Sequence, residues 1–182
     1  MRHGATEWSI ASKHTGRTDL PLVPEGREQA ASLSARLVAQ ADSYALVLSS
    51  PLSRARETCE LAGFGEQAEI DPDLCEWDYG DYEGLTTPEI RERNPGWNLW
   101  IDGCPGGERP EQVVARVERV LERFAGVDGT CLAFAHGHVL RVLTARWLEL
   151  DVTVGARLKL AAGALSVLGY ERETSALECW NG

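Results

Sequence analysis

Residues 44–55 read YALVLSSPLSRA, and the order of this stretch decides the fold. Tyr44 to Leu48 form a short apolar run, which suits a strand covered on both faces. Ser49, Ser50 and Pro51 then supply a helix start, with Pro51 at or near the first helical position. Arg54 falls in the first turn of that helix. A second stretch repeats the pattern: CLAFA at 131–135 is apolar throughout and ends at His136-Gly137. A buried strand running straight into a helix, twice, predicts an α/β protein with parallel strands.

Working outward, residues 25–40 place Ala30, Leu33 and Leu37 at helical spacing. Over 110–124, Val113, Val117, Val120 and Phe124 form one stripe, with Arg116, Arg119, Glu122 and Arg123 largely away from it. Residues 138–149 continue apolar through Val139, Leu140, Val142 and Leu143, and ALSVLGY at 164–170 reads as a late strand. The expected architecture is a three-layer α/β/α sandwich around a mainly parallel sheet, one domain over 1–182. Ligands of such sheets sit beyond the carboxyl ends of the strands. Arg54 and His136 both lie there, so two distant segments are expected to share one crevice with the opening of the chain.

That opening reads MRHGATEWSIASKHTGR, which gathers Arg2, His3, Lys13, His14 and Arg17 in a chain of net charge -10. The acidic balance argues against nucleic acid, whose binding needs a basic face. It leaves a small anion open, because screening over ~8 Å lets a few near arginines outweigh distant carboxylates. A hydrophobic fraction of 43% fits a soluble globular chain. No apolar run approaches the ~20 residues that span a bilayer. Arg2, His3 and Glu7 interrupt the start where a secretory leader would be apolar. The five cysteines, at 59, 75, 104, 131 and 179, form no CxxC pair. They suggest neither a zinc site nor a disulfide framework, and point to a reducing cytoplasm.

Arg2, His3, Arg54, Glu76 and His136 are the groups that chemistry singles out. Guanidinium groups match the oxygens of a phosphate monoester with paired hydrogen bonds. One imidazole can attack phosphorus and carry the phosphoryl group. A second, cationic or donating, can stabilise the equatorial oxygens. A carboxylic acid can protonate the departing alkoxide and later activate water. This set transfers a phosphoryl group with no metal and no other cofactor. Taken singly, each residue has a plainer reading. Arg54 alone reads as a solvated helix residue, His14 as a loop or rim residue, and the tryptophans of 97–100 as packing. His136 and His138, two apart, offer a metal-binding alternative.

In this order, RHGATEWS at 2–9, SSPLSRA at 49–55, EWDYGDYEG at 76–84 and AHGH at 135–138 resemble the histidine phosphatase superfamily, with its phosphoglycerate mutase-like fold. The resemblance implies that His3 is the phosphorylated nucleophile, that Arg2, Arg54 and His136 line the phosphate pocket, and that Glu76 is the proton donor. Ser9, Thr15, Gly16 and Gly137 are expected to contact phosphate as well, and Gly4 to allow close backbone approach. Many members carry Asn where Ser9 stands. Thr15-Gly16, WNLW at 97–100 and DGCPGGE at 102–108 strengthen the likeness to acid phosphatases and sedoheptulose bisphosphatase-like enzymes. Mutases carry cations after the catalytic glutamate, whereas Trp77, Asp78 and Tyr79 follow it here. The expected activity is therefore hydrolysis of small phosphorylated metabolites such as sugar phosphates. A phosphoglycerate mutase and a weakly catalytic phosphate-binding or signalling protein are the rivals. Arg17 and Arg141 are rim candidates for a second anionic group. No nucleic acid or membrane partner is expected, and a homo-oligomer is left open. Members also carry an apolar strand before Arg-His-Gly; here only Met1 precedes it, so the expectation is either a start truncated relative to the natural protein or a shortened N-terminal strand.

Overall fold

The computed structural model describes residues 1–38 and 44–182. In chain order the elements are α1 (Glu7–Ile10), α2 (Pro24–Val38), β1 (Tyr44–Ser49), α3 (Ser53–Leu61), β2 (Glu69–Ile70), α4 (Thr87–Arg93), α5 (Leu99–Asp102), α6 (Pro110–Ala125), β3 (Thr130–Phe134), α7 (Gly137–Trp147), β4 (Val167–Glu171) and β5 (Thr174–Cys179). The helix expected over 25–40 is α2, and its last two expected positions fall outside the described residues. The structure is α/β as expected: β2, β1 and β3 form a parallel sheet in that order, and β4 and β5 form an antiparallel pair.

The sheet is covered on both faces because its apolar runs alternate. Val47, Leu132 and Phe134 pack with Leu33 and Leu37 of α2 and Cys59 of α3. Leu48 and Ala135 instead join Val113, Val117 and Val120 of α6 and Val139, Val142 and Leu143 of α7. Neighbouring strand residues thus face opposite layers, the period of two that a pleated backbone imposes. Each valine of the α6 stripe is fully buried, worth about 1.5–3 kcal/mol relative to exposure.

Residues 1–3 join the two sheets. Arg2 bridges Ala135 in parallel register. Met1 O accepts from Ala135 N, and His3 N donates to Ala135 O. On the other side Arg2 N donates to Ala164 O, and His3 O accepts from Gly163 N. Between β3 and β4, where a longer strand would run, lies a cavity of about 720 Å³.

Four expectations change. The helix after β1 begins at Ser53, two residues beyond Pro51, with Leu52 in the capping position. Asp19 supplies the cap instead: its Oδ1 accepts from Ser53 N at 2.9 Å and Ser53 Oγ at 2.8 Å. The late strand starts at Val167 rather than 164. A further strand, β5, follows a two-residue turn of Arg172 and Glu173, with Arg172 at φ +59°. That turn lacks the Asn or Gly that would announce a hairpin. Finally, Arg116 is buried although its place on α6 is polar by periodicity.

Candidate active site

Arg54, His136 and the opening of the chain converge as the strand ends predict, and the segment of Glu76 joins them at the start of α7. His3 follows the one-rung bridge, Arg54 lies in the first turn of α3, and His136 is the residue that caps α7. Glu76 follows a 3₁₀ turn at Pro72–Leu74. The rings of His3 and His136 lie 5.1 Å apart between centroids, tilted by 59°.

Each ring's tautomer follows from its partners. His3 Nδ1 lies 2.7 Å from Gly4 O. A carbonyl oxygen only accepts, so Nδ1 carries the proton and Nε2 keeps its lone pair. Burial lowers the His3 pKa well below 6.5, and the guanidinium groups of Arg2 and Arg54 lower it further. His3 is therefore a neutral imidazole with a free nucleophilic nitrogen. His136 Nδ1 accepts from Arg54 Nε at 3.2 Å. A guanidinium only donates, so the neutral ring carries its proton on Nε2, 2.7 Å from Ser50 Oγ. Burial first, then Arg54 and His3, keep His136 well below its ordinary pKa. Of the two roles open to the second imidazole, the donating neutral form is the one these surroundings favour.

Arg54 is completely buried. Its remaining donors reach Thr18 O at 2.9 Å, Thr15 O at 3.0 Å and Gly16 O at 2.9 Å. It therefore ties the opening loop to α3 and His136. Arg2 donates through Nη1 to Leu160 O at 2.5 Å, while its buried Nε has no protein partner. A buried orphan donor on a guanidinium calls for an anionic or carbonyl acceptor. Gly137 leaves the space beside it open: a β-carbon there would stand 3.4 Å from Arg2 Nε.

Both oxygens of Glu76 are held by backbone. Oε1 accepts from Trp77 N and Val139 N, and Oε2 from His138 N, each at 2.9 Å. The last two donors belong to the first turn of α7, where N–H groups lack partners within the helix. Around Glu76 stands a wall that sequence reading missed as a unit. Tyr79 Oη lies 2.6 Å from His138 Nδ1, His14 packs edge-on to Tyr79 at 4.8 Å, and Trp100 lies 5.5 Å from His138. Burial lowers the pKa of His14 and, with Arg141, that of His138. His14 is thus a buried wall residue rather than a rim one. The two-residue spacing of His136 and His138 does not aim both rings at one point: they open a helix and bond to Ser50 and Tyr79 respectively.

The remaining candidates divide. Ser9 Oγ accepts from Thr6 N and donates to Thr6 O, closing the capping box of α1, so its hydroxyl is engaged there. Thr15 Oγ1 donates to Lys13 O, and Gly16 N donates to Glu83 Oε1. These two residues shape the pocket through their carbonyls on Arg54. Gly4 is needed against α2, since a β-carbon there would fall 2.1 Å from Gly26 O. Arg17 is 78% exposed and paired with Asp78 at 2.5 Å. Arg141 donates to Gly155 O at 2.8 Å and lies 4.7 Å over the Trp100 ring, beside the wall. Ser50 was legible only as a cap, and it serves His136 instead. Among the described residues, no group of three or more His, Cys, Asp or Glu side chains is arranged to hold a metal ion.

The geometry has counterparts in known proteins. Residues 1–182 match the model of the histidine phosphatase superfamily, branch 1. The chain is 39% identical over 176 residues to an acid phosphatase of Mycobacterium tuberculosis, covering 94% of this chain and 85% of that protein. It is 36% identical over 182 residues to sedoheptulose 1,7-bisphosphatase of Saccharomyces cerevisiae, covering 84% and 67%. The solved structure of the open reading frame Rv3214 from Mycobacterium tuberculosis superposes with a TM-score of 0.92 at 36% identity, covering 99% of this chain and 94% of that one.

Proposed function

The chain belongs to the histidine phosphatase superfamily, and from that premise we propose that it hydrolyses small phosphate monoesters, sugar phosphates first among them, through phosphorylated His3. The observation that carries this reading is the His3 ring: Nδ1–H is fixed on Gly4 O, and Nε2 is left unprotonated beside two guanidinium groups. The phosphoryl group sits against Arg2 Nε, the buried donor that lacks a protein acceptor. His3 Nε2 attacks phosphorus, and the bond to the leaving oxygen breaks. Glu76 delivers its proton to that oxygen. His136 turns its Nε2–H from Ser50 to an equatorial phosphoryl oxygen. Water then attacks the phosphoramidate, Glu76 takes the water's proton, and the P–N bond breaks. Arg141, beside the wall, receives a second phosphate where the substrate has one; Arg17 is already matched to Asp78. The relatives named acid phosphatase and sedoheptulose 1,7-bisphosphatase support a small-molecule substrate. A reducing cytoplasm suits the five free cysteines.

Rapid acid and alkaline quench after mixing with labelled substrate tests the scheme. Label that is acid-labile and base-stable, absent in His3→Ala together with turnover, is the expected result, and chelator leaves activity unchanged. Arg141→Ala raises KM for a sugar bisphosphate and leaves that for a monophosphate. Substantial turnover in His3→Ala, or loss with chelator and restoration by zinc, overturns the mechanism.

A further inference from the structure

The segment that carries Glu76 has no regular structure of its own between the 3₁₀ turn ending at Leu74 and Gly80, yet a general acid must be placed closely. An ion pair on the far side, between buried Arg116 and half-buried Glu108, fastens this segment. Arg116 of α6 donates through Nε to Glu108 Oε1 at 2.8 Å and through Nη2 to Glu108 Oε2 at 3.1 Å. Its Nη1 reaches Asp73 O and Cys75 O, both at 2.6 Å. Glu108 takes the other flank: Oε2 accepts from Asp78 N, its own N–H donates to Asp78 O, both at 2.9 Å, and its carbonyl accepts from Trp77 Nε1 at 3.0 Å. Residues 73, 75, 77 and 78 are thus all fastened to one pair, and Glu76 lies between them.

We propose that Arg116 and Glu108 are positioning residues for the proton donor: the pair fixes the 73–78 backbone and so holds the Glu76 carboxyl at the leaving oxygen. Neither residue touches the phosphoryl pocket, whose contacts belong to Arg2, Arg54 and His136. The pair therefore acts on protonation of the leaving group and not on attack by His3. The inference rests on the reading of Glu76 as the acid. A one-sided loss is expected because displacement of a catalytic group by about 1 Å can cost about a hundredfold, whereas a nitrophenolate leaves without a proton.

The test is the single-turnover rate of phosphoenzyme formation from an alkyl phosphate and from nitrophenyl phosphate, with Glu76→Gln run alongside. Arg116→Lys, which cannot make all four bonds, is expected to slow the alkyl ester about ten- to hundredfold and leave the nitrophenyl rate within about threefold. Glu108→Gln, which keeps the backbone contacts and the side-chain acceptor oxygen but removes the charge, is expected to move in the same direction by less. Equal losses on both esters in these variants, with a selective loss in Glu76→Gln, overturn the inference while the acid keeps its role. Equal losses in Glu76→Gln overturn the reading beneath it. Should Arg116→Lys fail to fold, Glu108→Gln decides alone, by the same ratio.

Discussion

Beyond the ends of β1 and β3, around His3, Ser50 and His136, the polar groups are paired several times over, save for the buried Nε donor of Arg2. At the other end of the same strands, β3 and β4 stand apart around the 720 Å³ cavity, lined by Leu132 and Cys131 on one side and by Val167 and Leu168 on the other, and closed by Leu37 and Leu143. The catalytic end is held by local ties: Asp19 on α3, Arg54 on the opening loop, and Glu76 on the first turn of α7. At the cavity end Met1 packs with Leu33, Leu37 and Leu132, and its carbonyl accepts from Ala135 N at 3.0 Å. The difference teaches where the two ends are tied: residues 2 and 3, which carry the proposed nucleophile, are bonded to backbone on both sides, whereas the packing behind them leaves a cavity. Activity and stability are therefore expected to separate under mutation.

The largest expected effect lies at the catalytic end. His136→Ala removes a donor from the phosphoryl oxygens and should lower turnover on the order of 10²–10³-fold. Some label should still accumulate on His3, because the acceptor atom is untouched. A loss below tenfold, or complete absence of label, would contradict the donor role. Next comes the cavity. Five strand-forming apolar residues fused ahead of Met1 would run beside residues 131–133 and add ladder bonds to both sheets. Three new bonds at about 1 kcal/mol each should raise Tm by roughly 6–12 °C, with kcat unchanged. An unchanged Tm would show that the gap between β3 and β4 does not accept a strand.

The same division marks what sequence reading could see. Of the four motifs, those at 49–55 and 135–138 were legible from the residues because each follows an apolar run that stops at a strand end; those at 2–9 and 76–84 follow no such run and were legible through the resemblance. The α6 valine stripe was visible through its period. Arg116 was not, because periodicity places a charged residue on the solvent side and says nothing of an ion pair with Glu108 beneath a loop. His14 was read as a rim residue for the same reason: its burial depends on Tyr79 and Trp97, more than sixty residues away. Ser50 stands where a cap is expected and meets His136 instead, while Asp19, which carried no expectation, bonds Ser53: a hydroxyl after a strand can cap a helix or meet an imidazole, and only tertiary packing chooses between them.

The smallest expected effect is one of pH, and it separates stability from activity at the catalytic end itself. At His3 and His136, burial acts together with the neighbouring guanidiniums to hold both rings well below 6.5, and burial with Arg141 lowers His138 likewise. In all three the unfolded chain binds a proton that the folded chain refuses, so stability rises with pH and is lost as pH falls through the unfolded value of about 6.5. By pH 6.5 the three rings together should lower stability by about 1 kcal/mol, or roughly 2–4 °C in Tm, with a steeper loss below. Phosphoenzyme formation should stay level from pH 8 to 6.5, because His3 is unprotonated throughout. Thermal unfolding across pH 5–8 checks this, and a Tm that stays level down to pH 5.5 would show that the buried rings do not refuse protons in the folded chain.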